Sequence, residues 1–260
     1  MPTHFPNGVT NVTKESMFGD LNQMAPNKYT MYWNDFVQNS DLGGTGALNG
    51  ADVSAVDWIC TKVDGGSDNA SVVSVTDSGG GTLTITTDNA ENDGVALQLK
   101  TEAFNIDESK ETFFESRLKV NDATQTDFLV GLAIKDTTPF AGLSDSITFK
   151  CDDGSTAIRL VSETNMSGSI VSASVTAVAS VTDDTFMKLG YHFDGESNIK
   201  VFSDDVHVAT LSVVSGTNLV TDEDMSPIVA VLTGEGAAQT VTVVKFIFIM
   251  VDSYGLCNTC

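Results

Sequence analysis

The stretch from Thr185 to Val213 constrains the fold most, because it alternates with period two and is interrupted only by turn residues. Met187, Leu189, Tyr191 and Phe193 fall on one side of an extended segment, and Phe186, Lys188, Gly190 and His192 on the other. This is the pattern of a half-buried strand. Asp194-Gly195 and Asp204-Asp205 supply turn chemistry, with the β-branched Ile199, Val201, Val206 and Val208 in the segments beside them. Such a meander has an apolar face that it cannot bury alone, so the rest of the chain must supply a second sheet.

Short segments bounded by turn residues recur along the chain, at 56–63, 70–75, 82–87, 95–100, 112–120, 127–135, 146–151, 157–162, 169–177, 228–233 and 240–251. Gly79-Gly80-Gly81, Asp153-Gly154 and Gly234-Glu235-Gly236 punctuate them. Roughly twelve to fifteen short strands without a helical period predict an all-β sandwich of two antiparallel sheets. In the last segment Val241, Val243, Lys245, Ile247, Ile249 and Val251 alternate with Thr242, Val244, Phe246, Phe248 and Met250. Both sets are apolar, which predicts a central strand covered on both sides. No period of roughly 20 to 50 residues repeats, which argues against a propeller or solenoid.

Residues 1–38 read as an extended N-terminal arm. Phe5, Val9, Val12, Met17, Phe18, Leu21 and Met24 are scattered without a period among polar residues. These seven are the candidate contacts to a neighbouring subunit or larger surface; the alternative is a flexible leader. An aromatic cluster at 29–37, at the end of the arm, marks the approach to the folded body of 39–251, which begins with a glycine-rich loop at 40–50. Residues 252–260 are a tail.

Lys and Arg number 13 against 35 Asp and Glu, a net charge of -22, which makes nucleic acid and anionic membrane poor partners. No segment reaches the ~18 consecutive apolar residues of a membrane span, and the first residues lack a secretory pattern, so folding in a cytosol is expected. Cys257 and Cys260 have the two-residue spacing of zinc and redox sites, but a four-cysteine site would need Cys60 and Cys151 to converge on the tail. Buried thiols and a loose tail are the expectation.

Catalytic patterns are sparse. Acidic clusters at 88–93, 152–153, 183–184 and 222–224 are compatible with calcium, yet none has EF-hand or calcium-repeat spacing. Solvated turn carboxylates are expected instead, with no cofactor. Retaining hydrolysis needs two carboxylates projecting into one groove, and the nearest run, Glu91-Asn92-Asp93, suits a turn. His4, His192 and His207 are too dispersed for a metal site, and no nucleophile, zinc or nucleotide fingerprint occurs. The chain is expected not to be an enzyme. Trp58, in an apolar segment, reads as core, whereas Tyr32 and Trp33 are the candidate sugar platforms.

Two resemblances follow from particular residues. Tyr191-His192-Phe193-Asp194-Gly195 and Val201-Phe202-Ser203-Asp204-Asp205 resemble the paired hairpin of laminin-G/concanavalin-A-like jelly rolls, with Asp205 where a glycine is usual. The start of the chain, the segment 113–132 and the strand 183–191 resemble tailed-bacteriophage virion proteins of decoration type. The resemblance implies a concanavalin-like jelly roll acting as a capsid cement protein. It further implies the major capsid protein as partner, a homo-oligomer, most plausibly a trimer, and residence on the outer capsid surface after assembly in the host cytoplasm. The other reading is a lectin-like, glycan-binding module of a phage surface or tail fibre.

Overall fold

A computed structural model describes residues 17, 29–36, 46–47, 53–54, 58–63, 71–77 and 80–251. In chain order the strands are β1 (Tyr29–Asn34), β2 (Gly46–Ala47), β3 (Val53–Ser54), β4 (Trp58–Val63), β5 (Ser71–Asp77), β6 (Gly80–Thr86), β7 (Gly94–Leu99) and β8 (Thr112–Val120). They continue as β9 (Thr126–Ala133), β10 (Ser146–Cys151), β11 (Ala157–Met166), β12 (Ser169–Ser180), β13 (Met187–Phe193), β14 (Asn198–Ser203), β15 (Val206–Ser212), β16 (Ser226–Thr233) and β17 (Thr240–Val251). Among the described residues there is no helix.

The strands form two antiparallel sheets packed face to face. Sheet A runs β15-β14-β13-β8-β17-β6-β5-β2, with β1 also pairing β17, and sheet B runs β12-β11-β10-β9-β16-β7-β4-β3. The expected meander is β13-β14-β15, and its apolar side, Met187, Leu189, Tyr191 and Phe193, enters the core between the sheets. There it meets Phe149 and Leu160 of sheet B together with Phe114 and Phe246 of its own sheet. Burying such side chains stabilises by roughly 1.5–3 kcal/mol each before conformational entropy is subtracted.

Both turns of the meander have identifiable chemistry. Asp204 and Asp205 form a two-residue loop with φ of 48° and 67°, a left-handed pair that aspartate tolerates better than most residues. In the other turn the Asp194 carboxylate accepts backbone N–H groups of Glu196, Ser197 and Asn198 at 2.9, 3.0 and 3.0 Å. Burial raises the Asp194 pKa, but these bonds and that from the Asn198 side chain outweigh it and hold the carboxyl at about 2.

β17 is central, as its composition requires. It pairs with β8 on one side, and on the other with β6 and then β1. Its faces differ from a simple alternation, because the register shifts between Val243 and Lys245. The extra residue moves Phe246 and Phe248 onto the core side with Val241 and Val243, and leaves Ile247 and Ile249 on the outer side. The glycine-rich segment expected as loop contributes β2, two residues paired with β5.

Trp58 is 1% exposed, in line with its reading as core. Cys60 and Cys151 are buried, neither in a disulfide, and burial raises the Cys151 thiol to about 11, which keeps it protonated and unreactive. Cys257 and Cys260 lie outside the described residues, as do Phe5, Val9, Val12, Phe18, Leu21 and Met24 of the arm.

Candidate functional site

The outer face of sheet A gathers the side chains that could recognise a ligand. Trp33 of β1 stands opposite Ile247 of β17, which stands opposite Glu115 of β8, which in turn faces Gly190 of β13. Directly paired residues share a sheet face, so these four form one row. Trp33 is 57% exposed at its end. The middle is covered by Met17, which is buried against Phe113, Phe202, Ile247 and Ile249. Met17 therefore contacts this chain's own sheet.

The next row is basic: Lys245, Arg117 and Lys188 occupy paired positions of β17, β8 and β13. Lys245 is 2.6 Å from Glu115, which is nearly fully buried, and Lys188 is 2.6 Å from Asp205. Arg117 stacks its guanidinium over the Phe186 ring at 4.5 Å and has no carboxylate partner among the described residues. Lys119 sits over the same ring and pairs with Asp184 at 3.0 Å. His192 lies flat on Phe113 with ring centroids 4.2 Å apart and meets Glu111 at 3.0 Å. Among the described residues five basic side chains (Arg117, Lys119, Lys188, Lys200 and Lys245) are on this face, and three of them pair with carboxylates.

Tyr32, the other candidate platform, is turned the opposite way. Its ring packs on Phe104 and Trp58, with centroids 6.0 and 6.5 Å apart. Alternation along β1 decides this: one of two adjacent residues faces the core and the other faces out. Trp33 is open to a ligand, while Tyr32 is partly buried against the core.

The outer face of sheet B offers less. Ala96, Leu129, Ala133, Ile228 and Ala230 make its centre apolar, and the connection between β9 and β10 lays Phe140 and Leu143 over them. A cleft of about 80 Å³ remains beside Phe140, Lys150 and Arg159, well short of the roughly 300–1,000 Å³ of ordinary ligand pockets. Its charges are used internally: Lys150 pairs with Glu163 at 2.7 Å, and Arg159 Nη2 donates to Asp152 at 2.8 Å. Asp127, on the neighbouring strand, is raised to about 6 by burial, with Asp153 adding repulsion.

The loop carboxylates serve the turns. Asp183 accepts the Ala123 N–H at 2.7 Å, and Asp122 caps Thr124 and Gln125 at 2.9 and 3.1 Å. Among the described residues no three of His, Cys, Asp and Glu converge as a metal site. Glu91 and Asn92 lie in the turn before β7, as expected, with Asn92 at φ 66°. Among the described strands none places two carboxylates at alternating outward positions; on β10 those positions hold Ser146, Thr148 and Lys150.

Two antiparallel sheets in this order define a concanavalin-like jelly roll. Solved structures with this fold include an endo-1,3-β-glucanase from Streptomyces sioyaensis, at TM-score 0.55 and 15% identity over 87% of this chain and 98% of that one. An endo-β-1,4-glucuronan lyase from Trichoderma reesei has TM-score 0.52 and 12% identity over 86% and 95%. The carbohydrate recognition domain of Emp47p has TM-score 0.51 and 12% identity over 86% and 97%. No family model matches the sequence, and no curated protein does.

One expectation is thereby corrected. The chain was expected not to be an enzyme because familiar catalytic motifs are missing, yet the fold is shared with a glucanase and a lyase. Motif absence excludes particular chemistries, and a fold that houses several others removes the general exclusion.

Proposed function

We propose that this protein is a carbohydrate-recognising jelly-roll module that receives a glycan on the outer face of sheet A, with Trp33 as the stacking platform. The observation that carries the reading is the exposed Trp33 indole, at 57%, beside the basic row led by Arg117. A sugar ring presents an apolar C–H face to an aromatic ring, while its hydroxyl or carboxylate groups need donors at the rim. Arg117 supplies donors in a fixed fork. The fold shared with glycan-binding and glycan-cleaving proteins supports the same reading.

Affinity electrophoresis through gels containing neutral glucans or polyuronates tests it. Retardation by at least one glycan, lost in Trp33→Ala at an unchanged melting temperature, is the expected result. Reducing-end and unsaturated-product assays on the retained glycan then separate a binding module from a cleaving one. Capsid binding and residence on a virion stand behind this reading. They rest on the residue resemblance, and the one described arm residue, Met17, is engaged with its own sheet.

A further inference from the structure

The side of the sandwich formed by β12 and β15 differs from the rest of the surface. Each strand is the last of its sheet, and the two are neighbours across the sheets. They lie within the two longest runs without Asp, Glu, Lys or Arg in a chain of net charge -22, from Thr164 to Thr182 and from Val206 to Thr221. Of the seven exposed large apolar side chains among the described residues, Met166, Ile170, Val206, Val208 and Val214 belong to this side. Protein edges are ordinarily guarded by lysine, proline or a covering segment. Here neither run contains proline, and among the described residues no backbone bond beyond the β11 ladder reaches β12 from Ser169 to Thr176.

The hairpin geometry shows which groups are free. Ser167 and Gly168 form the β11–β12 turn with φ of 53° and 88°, and Met166 pairs with Ser169. A two-residue turn of this hand closes on a hydrogen-bonded pair, so Met166/Ser169, Thr164/Val171 and Ser162/Ala173 exchange bonds. The N–H and C=O groups of Ile170, Ser172 and Ser174 therefore point to the open edge. All three residues are exposed. Ala177, at φ 57°, breaks the strand, which confines the regular edge to residues 169–176.

From this edge we infer that a second copy of the chain pairs antiparallel along β12, joining the two B sheets across a two-fold axis near Ser172. The pairing sets Ser172 against its mate and Ile170 against Ser174 of the second copy, so every edge group just named finds a partner. A second copy is favoured as occupant because two molecules of net charge -22 repel one another over their acidic surfaces, whereas these runs carry no charge. An isologous strand pair also uses the same residues twice and closes on itself.

The test is light scattering of the full chain across a dilution series. A dimer is expected, and one that tightens as salt screens the two acidic bodies. Ser172→Pro removes one edge N–H from each copy and leaves the β11 ladder intact. Loss of two hydrogen bonds should weaken dimerisation by about 10- to 100-fold. Ser172→Glu keeps the backbone and opposes two carboxylates at the axis; it should be monomeric where wild type and Ser172→Ala are dimeric. A wild-type monomer at every concentration overturns the inference, as does a folded Ser172→Glu protein that dimerises like wild type. Because glycan retardation is read separately, failure here leaves the proposed binding face untouched.

Discussion

The sulfur of Met17 lies 2.8 Å from where a Cβ on Gly190 would stand, so the arm residue is seated in a notch that only glycine leaves open. The Phe114 carbonyl oxygen, at 2.9 Å from the same point, closes the other wall. Gly190→Ala must therefore displace Met17, at a cost of about 1–3 kcal/mol. Met17→Ala should cost about 2 kcal/mol by uncovering Phe113, Phe202 and Ile249. Denaturant unfolding of both variants and their double mutant checks this, since residues in contact should give non-additive losses.

Glu115 depends on Lys245. Its carboxylate is 2% exposed and the ammonium is 2.6 Å away. Lys245→Ala leaves a buried charge uncompensated and should destabilise by about 3 kcal/mol, whereas Lys245→Ala combined with Glu115→Gln should recover most of it. Urea midpoints of the single and double variants measure the difference.

Asp127 gives stability an opposite dependence on pH to the common carboxylate. Its folded pKa, about 6, is above the ordinary 3.8, because burial disfavours the charged form. The folded state then takes up a proton first, so this group's contribution improves as pH falls from 6 toward 4 and is unfavourable above. Asp127→Asn should remove that slope and stabilise the protein at pH 8 by about 1 kcal/mol, after discounting for its partial exposure. Thermal melts from pH 4 to 8 would show the two curves converging at the acid end.

Asp194 works in the usual direction. Its folded pKa, about 2, is below the ordinary value, so its contribution is full above about pH 4 and fades as pH falls through 2. Asp194→Ala should loosen the β13–β14 turn at neutral pH and flatten the acid limb of the stability curve between pH 4 and 2. Hydrogen exchange at the amides of Glu196, Ser197 and Asn198 reports the turn directly.

Most of this fold is visible in the sequence because strands write their two faces as a period of two. The segments 112–120, 146–151 and 240–251 coincide with β8, β10 and β17. The faces of β17 do not follow the pattern, because one extra residue at the bulge changes its phase, and nothing in an all-apolar run marks where that residue sits. β2 and β3, at two residues each, are too short to carry a period. The site was half legible. Adjacent aromatics at 32 and 33 must face opposite ways, but only the partner strand β17 reveals which one meets solvent. The basic face was hidden as well: Arg117, Lys188 and Lys245 are far apart in sequence and meet only by strand pairing.

The protein contains its own probe of Trp33. It has two tryptophans, and Trp58 is almost fully buried while Trp33 is exposed. Acrylamide quenching of tryptophan emission therefore reports mainly Trp33. The decisive measurement is that quenching during titration with the glycan that retards the protein most. The account predicts that bound glycan shields the indole and lowers the quenching constant severalfold, an effect absent from Trp33→Phe. An unchanged quenching constant at saturating glycan would place binding elsewhere and contradict it.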